Sequence, residues 1–307
     1  MASLTVVRAG MLTTVQDQGR WGYQHLGVPV AGPMDLYSHR YANRLVGNPD
    51  DQAALEVTLI GPELQAEGDV DCAVSGALFD LAVDGAPVSM NVAFTVPSGG
   101  RLRFGNRLAG ARAALAVRGG FDVPLLFGSR ATSLVSRMGP FGGRALVARD
   151  VLAVGESSPG GLASGALPIA VPQGGARLRV VMGPHDAMFT EAAREAFLTS
   201  RFVITPQSNR MGYRLEGPPL THVGAADILS DATPVGSLQV PASGQPILLM
   251  ADRQTTGGYP KIATVVTADL PLAGQLAPGD WIEFAAVTPA AALDALKRQE
   301  QRLAGTR

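Results

Sequence analysis

The sequence predicts a mostly β protein of two related halves with a few short helices, and three observations carry that expectation. Short apolar runs recur between glycines and prolines, as in Ala113–Val117, Leu178–Met182, Pro246–Met250 and Ile262–Val266. The 37 Gly and 22 Pro that punctuate them suit barrels or sandwiches, not a regular alternation of helix and parallel strand. An Arg-x-Gly-Tyr-x-x-x-Gly-x-Pro string also occurs twice, from Arg20 to Pro29 and from Arg210 to Pro219. Similar landmarks follow each copy: Leu55-Glu56-Val57 with Gly61 resembles Leu238-Gln239-Val240 with Gly244, and Pro97 through Phe104 resembles Pro278 through Phe284. Head-to-tail duplication predicts like turns in both halves. A cleft between like domains is then the natural place for a site.

Three helices interrupt the strands. The first is expected over Leu36–Val46, with Asp35 as its amino-terminal cap and Gly47 in the left-handed terminating position. A second is expected from Ala187 to Ser200, before the repeated string in its half instead of after it. The third begins at Thr288-Pro289, with Thr as cap, Pro in the first turn, and Leu293, Leu296 and Leu303 along one face. The stretch from Glu156 to Gly175 is rich in Gly, Ser and Pro and reads as a linker. It divides a first domain (1–158) from a second (176–287), with a helix and tail (288–307) after them. The first strand set reads as complete by Gly105, and Val117 through Arg144 has no counterpart in the second half. That extra segment is expected to drape over the domain junction.

With 307 residues and 46% apolar content, the chain can fill two cores. The formal charge of -1 comes from 25 basic and 26 acidic residues without a basic run, which argues against nucleic acid or an anionic membrane as partner. A small molecule or a protein partner is expected. The opening residues lack the pattern of a secretion signal and no run is long enough to span a bilayer, so a cytoplasmic location is expected. Cys72 is the single cysteine, set in a strand-like run, and reads as a buried thiol.

The densest polar cluster is Asp252-Arg253-Gln254-Thr255-Thr256-Gly257-Gly258-Tyr259-Pro260-Lys261, between two apolar strands. Its hydroxyls, amide and paired glycines offer many donors to a carboxylate, carbamate or phosphoryl oxygen, and Lys261 adds positive charge. An ordinary hairpin loop, with Thr and Gln satisfying the turn, is the competing reading. The turn Asn209-Arg210-Met211-Gly212-Tyr213 adds an amide and a guanidinium. Because Arg20 and Tyr23 repeat that pattern, Arg210 and Tyr213 read as braces and Asn209 as the better ligand contact. Asp35 reads as a helix cap, and Asp17 as a partner for Arg20. His25, His39, His185 and His222 lack the spacing of a metal site. Walker, nucleophile-elbow and dinucleotide-binding motifs are absent from the sequence.

Six ordered motifs resemble the allophanate hydrolase subunit 2 family: Val15–Tyr23, Gly32–Asp35, Ala42–Asn48, Val117–Gly120, Ser208–Tyr213 and Gln254–Lys261. The resemblance covers roughly Leu4 to Phe284, with Arg149-Asp150 where Gly-Asp is expected and its twin Gly279-Asp280 intact. That family includes the C subunit of bacterial ATP-dependent 5-oxoprolinase, KipA-type regulators and the carboxyltransferase region of urea carboxylase. The resemblance implies two tandem cyclophilin-like β-barrels and a site in the second of them. It also implies two protein partners, a B-subunit homologue and a lactam-utilisation A-subunit homologue. The reading it favours is ATP-dependent opening of 5-oxoproline to glutamate, with ATP used by the complex. Asp252 would be the proton acceptor, and Asn209, Thr255, Thr256, Gly257, Gly258 and Lys261 would steady negative charge. Arg210, Gln254 and Tyr259 would complete the substrate contacts. Carboxyl transfer from carboxybiotin to urea, with biotin carried on a partner, and KipA-like binding of a kinase inhibitor are the alternatives.

Overall fold

The computed structural model describes residues 2–156 and 170–305. Met1–Arg20, Ala31–Val171 and Gln301–Arg307 group into one unit, and Trp21–Val30 with Pro172–Glu300 into a second. Positions 157–169, most of the expected linker, lie outside the described residues. Among those described, no helix is long and apolar enough to cross a membrane.

The first unit holds β1 (Ser3–Arg8), β2 (Leu12–Gln16), α1 (Leu36–Leu45), β3 (Ala54–Thr58), β4 (Glu63–Glu67), β5 (Val70–Val83), β6 (Ala86–Val88), β7 (Ala93–Val96) and β8 (Arg101–Val117). A distorted turn, α2 (Pro140–Gly143), and β9 (Val151–Ala153) complete it. Its nine strands form one sheet along the path β2-β3-β8-β4-β1-β9, with β5 pairing β6, β7 and β8, and it makes a half-barrel. Leu4, Leu55, Leu64, Cys72, Leu102 and Leu115 fill the core. Burial pushes the Cys72 thiol well above its ordinary range, as suits a packing residue. The helix α1 starts as expected, because Asp35 accepts from the Ser38 amide at 2.8 Å and from its hydroxyl at 2.6 Å.

One expectation for this unit changes. β8 continues past Gly105 to Val117. Gly105 marks a close approach, since a Cβ there would lie 2.9 Å from the Asp80 carbonyl oxygen on β5. The extra segment after β8 is fastened within its own unit by buried Arg20, which donates to the Leu126 and Ala131 carbonyls at 3.1 and 2.5 Å. Asp17 accepts there from the Ser129 hydroxyl at 2.6 Å and the Arg130 amide at 2.5 Å.

The second unit holds β10 (Gly175–Met182), α3 (Glu191–Thr199), β11 (Phe202–Ile204), β12 (Gly212–Glu216), β13 (Asp231–Ala232), β14 (Ser237–Gln239) and β15 (Ile247–Leu249). It continues with β16 (Thr256–Gly257), β17 (Lys261–Val265), α4 (Leu270–Gly274), β18 (Trp281–Ala286) and α5 (Pro289–Ala304), whose last turn groups with the first unit. Seven strands close a barrel in the order β10-β17-β14-β15-β12-β11-β18, and β13 pairs β16 outside it. Closure comes from the parallel β10–β18 ladder, Gly175↔Trp281 through Val180↔Ala286. Phe197 of α3 stacks on Phe284 of β18 at 4.6 Å, sealing one side of the core. α3 begins later than expected because Thr190, not an earlier residue, caps it by accepting from the Ala193 amide. On α5, Leu293 is exposed and the buried positions are Ala295 and Leu303.

The Arg-x-Gly-Tyr string does not make like turns. Arg210 leads directly into β12, where Tyr213 is buried and its hydroxyl donates to the Ala273 and Leu276 carbonyls. Arg20 leads into a 3₁₀ turn at Gln24–Leu26, ended by left-handed Gly27. Four shared residue types cannot impose a conformation; the alternating Tyr213-Arg214-Leu215-Glu216 run suits a strand, whereas Gln24-His25-Leu26-Gly27 suits a closed turn.

A different repeat does recur in the backbone. The Gly279 amide donates to the Ile204 carbonyl, the Ile204 amide to the Asp280 carbonyl, and the Asp280 carboxylate accepts from the Ala277 amide. Arg149, Val6, Asp150 and Val147 reproduce the same three bonds. Arg149 takes the left-handed φ of +75° where its twin Gly279 has +95°.

Candidate functional site

The antiparallel register of three barrel strands builds a pocket on the outer face of the second unit. Tyr213, Leu248 and Leu238 stand side by side and point into the barrel core. The next row, Arg214↔Ile247↔Gln239, therefore faces the other way, as does Gly212↔Leu249. The turn carrying Gln207, Asn209 and Met211 walls one side, and Gln254 and Tyr259 wall the other, enclosing about 190 Å³. Its lining includes no acidic side chain.

Gln239 is almost fully buried, and its Oε1 accepts from Gln254 Nε2 at 3.1 Å. Its own Nε2 has no hydrogen-bond partner among the described residues. An orphaned buried amide donor is costly and marks a place where a ligand acceptor would fit. Gly257 allows this arrangement: a Cβ there would come within 2.5 Å of Gln239 Nε2 and 3.2 Å of Gln254 Nε2. Asn209 uses its Oδ1 to accept from the Met211 amide at 2.8 Å, which fixes the side chain and leaves its amide N–H groups for a ligand. The ensemble is an array of amide donors beside one guanidinium, over the apolar floor of Ile247 and Leu249.

A family profile described as carboxyltransferase domain, subdomain A and B, matches residues 26–286. The chain belongs to this family. This carboxyltransferase-family chain is 39% identical over 300 residues to the 5-oxoprolinase C subunit of Escherichia coli (strain K12), covering 97% of this chain and 95% of that protein. It is 36% identical over 275 residues to the 5-oxoprolinase C subunit of Haemophilus influenzae, covering 90% and 88%. Among solved structures it is similar to K. lactis urea amidolyase, with a TM-score of 0.93 and 32% identity over 98% of this chain. The Kluyveromyces lactis urea carboxylase gives 0.92 and 32% over the same share. This chain spans 20% and 29% of those two longer proteins.

Of the residues expected to form the site of this carboxyltransferase-family chain, Asn209, Gln254 and Tyr259 reach the pocket, and Gly257 backs Gln239. Thr255, Thr256 and Gly258 lie away from its lining and carry backbone contacts. The Thr255 carbonyl accepts from the Thr233 amide, Thr256 pairs with Ala232, and the Gly258 carbonyl accepts from the Ile228 amide. Asp252 and Arg210 form a buried bidentate ion pair with distances of 3.1 and 3.2 Å. Both side chains are buried and neither lines the pocket, so no role in it is assigned to them. Lys261 is also buried, with Nζ 2.6 Å from Asp231 and 2.8 Å from the Ala232 carbonyl. Its charge is already met, and it ties β13 beneath the glycine turn instead of entering the pocket. Lys261 in turn holds the Asp231 carboxyl below the usual carboxylate range, chiefly through this hydrogen bond.

Arg214 and Gln239 line the candidate pocket, and sequence reasoning misses both. In the sequence Gln239 stands out only as part of the Leu-Gln-Val landmark, whose twin Glu56 is likewise buried and accepts from the Met34 amide at 2.6 Å. A long polar residue repeated inside an apolar strand is the signal that could find it. Larger clefts of about 640 and 630 Å³ lie in the first unit. In the larger, Asp71 is engaged by the Thr95 hydroxyl at 2.7 Å and by Arg118 at 3.8 Å. The smaller pocket is the better site because it combines an orphaned buried donor with a uniform sign of charge.

Proposed function

We propose that this chain acts as the C subunit of an ATP-dependent 5-oxoprolinase, working with A- and B-subunit homologues to convert 5-oxoproline to L-glutamate. The observation that carries this reading is the end-to-end match to the Escherichia coli C subunit, which leaves little of either protein unaligned. The pocket supports it chemically. In lactam opening, water adds to the ring carbonyl, the carbon–nitrogen bond breaks, and the nitrogen leaves protonated as the amine while the new carboxylate forms. Gln239 Nε2 and Asn209 Nδ2, which line one pocket, would donate to the lactam oxygen, where negative charge grows. Loss of one such preorganised donor costs typically ~10²–10³ in turnover. ATP does not fit here: about 190 Å³ is below the ~300–1,000 Å³ that drug-sized ligands occupy. ATP use is assigned to the complex as a whole, and no step of this pocket runs through it.

Carboxyl transfer from a biotin-bearing partner to urea is the second reading, favoured by the TM-score of 0.93 to K. lactis urea amidolyase. Reconstitution separates the two. The chain with its A- and B-subunit homologues should release glutamate from 5-oxoproline only when ATP is present, and the chain alone should not. A complex that releases no glutamate but carboxylates urea when given a carboxybiotin carrier would overturn the first reading.

A further inference from the structure

The pocket has two chemically distinct ends. At one, Arg214 is solvent-exposed and forms no ion pair among the described residues. At the other, Gln239 presents its orphaned amide. The two stand on β12 and β14 with Ile247 of β15 between them, so their backbones are about 10 Å apart at the usual strand spacing. Both side chains line the same pocket. A ligand that satisfies both ends must offer an anion to the guanidinium and a carbonyl to the amides, with a short apolar body over Ile247 and Leu249. A small neutral amide such as urea meets only one end. A lactam bearing a carboxylate on the carbon beside the ring nitrogen meets both.

We propose that Arg214 is the carboxylate-recognising residue of this pocket and sets its preference for acidic lactams over neutral amides, an inference that rests on the 5-oxoprolinase reading. Guanidinium and carboxylate match as a planar, charge-assisted pair. No acidic side chain in the lining competes for it. Arg214 also lies on the strand immediately after the Asn209 turn, so one short stretch supplies both a carboxylate contact and a carbonyl contact.

The test uses the reconstituted complex with Arg214→Gln and Arg214→Lys, assayed for ATP-dependent glutamate release from 5-oxo-L-proline. The neutral lactam 2-pyrrolidinone serves as a competitor, and circular dichroism melts check the fold. Arg214→Gln should raise KM about tenfold to a hundredfold while kcat stays within about twofold, because a contact made equally in ground and transition states is lost. Arg214→Lys should recover part of that loss, and the inhibition constant of 2-pyrrolidinone should not move. Wild-type turnover with an unchanged KM in Arg214→Gln overturns this inference alone. An equal weakening of 2-pyrrolidinone overturns it too, since the pocket would then be damaged generally. If the wild-type complex releases no glutamate from 5-oxoproline, the functional reading fails and this inference fails with it.

Discussion

Arg149 stands at φ +75° in a turn whose hydrogen bonds match those of the Gly279 turn, and replacing it with glycine should stabilise the protein. An L-residue in the left-handed region costs about 1–2 kcal/mol. Glycine returns about 0.4–1 kcal/mol of that through the greater freedom of the unfolded chain. Arg149 is exposed and its side chain makes no hydrogen bond or ion pair among the described residues, so nothing else is lost. Its backbone amide still donates to the Val6 carbonyl at 2.8 Å after the change. The net gain for Arg149→Gly is therefore about 0.5–1 kcal/mol, or roughly 1–4 °C in Tm for a unit of this size. The reciprocal variant is Gly279→Ala. Its added Cβ would meet nothing within 4 Å, so only the φ cost of about 1–2 kcal/mol opposes it, and the stiffer unfolded chain offsets about 0.4–1 kcal/mol of that, a net loss of about 0.5–1 kcal/mol. Urea unfolding at fixed pH, with midpoint and slope both fitted, measures the pair. A lower midpoint for Arg149→Gly, or no loss for Gly279→Ala, would refute the view that backbone conformation dominates these turns.

Two further perturbations probe the neighbourhood of the pocket. Gly257→Ala should push a methyl group to within 2.5 Å of Gln239 Nε2 and displace the Gln239–Gln254 amide pair. Turnover by the reconstituted complex should fall at least about tenfold with only a small change in melting temperature, and unchanged turnover would detach that pair from the reaction. The Asp231–Lys261 bond gives the β13–β16 ladder a pH dependence. Asp231 titrates lower in the folded protein than when unfolded, so its contribution is complete above the ordinary Asp value of about 3.9 and is lost as pH falls through the lower folded value. Hydrogen-exchange protection at Ala232 and Gly257, taken relative to the intrinsic rate at each pH, should fall below about pH 4, and Asp231→Asn should show the same loss of protection already at neutral pH. Protection that stays constant through this range at both amides would mean that the ion pair does not hold the ladder.

What the sequence makes legible is local. Asp35 with Ser38, and Thr288 with Ala291, cap their helices within one turn, so the signal and its effect lie three residues apart. Asn209, Gln254 and Tyr259 are visible because they sit in dense polar turns between apolar strands, where a ligand site competes with an ordinary hairpin loop. Asp252 and Lys261 look equally suitable in the sequence, but their roles depend on Arg210, 42 positions away, and Asp231, 30 positions away. No local pattern announces that a charge will be neutralised by a remote one. Arg214 and Gln239 are hidden for a related reason: their facing is fixed by pairing with Ile247 across two ladders. A shift of one residue in either ladder would turn one of them away from the pocket.

The two internal repeats differ in a way that bears on how duplicated sequence should be read. The Arg-x-Gly-Tyr copies share side chains but lie in unlike backbone, one entering a 3₁₀ turn and the other a strand. Arg20 and Arg210 are both buried, yet Arg20 reaches carbonyls and Arg210 reaches a carboxylate. The turns at Asp150 and Asp280 share less sequence but the same three bonds, because each joins a carboxylate to the amide three residues before it while its backbone continues a strand ladder. The aspartate is the part of the motif that the geometry requires, and the preceding residue need only tolerate a positive φ. Asp150 also receives a bidentate bond from Arg144 at 2.6 and 2.7 Å, which anchors the turn at the place where glycine is missing. Duplication thus persists where backbone hydrogen bonding demands a particular atom, and a repeated string with no such demand is free to take on separate structural work.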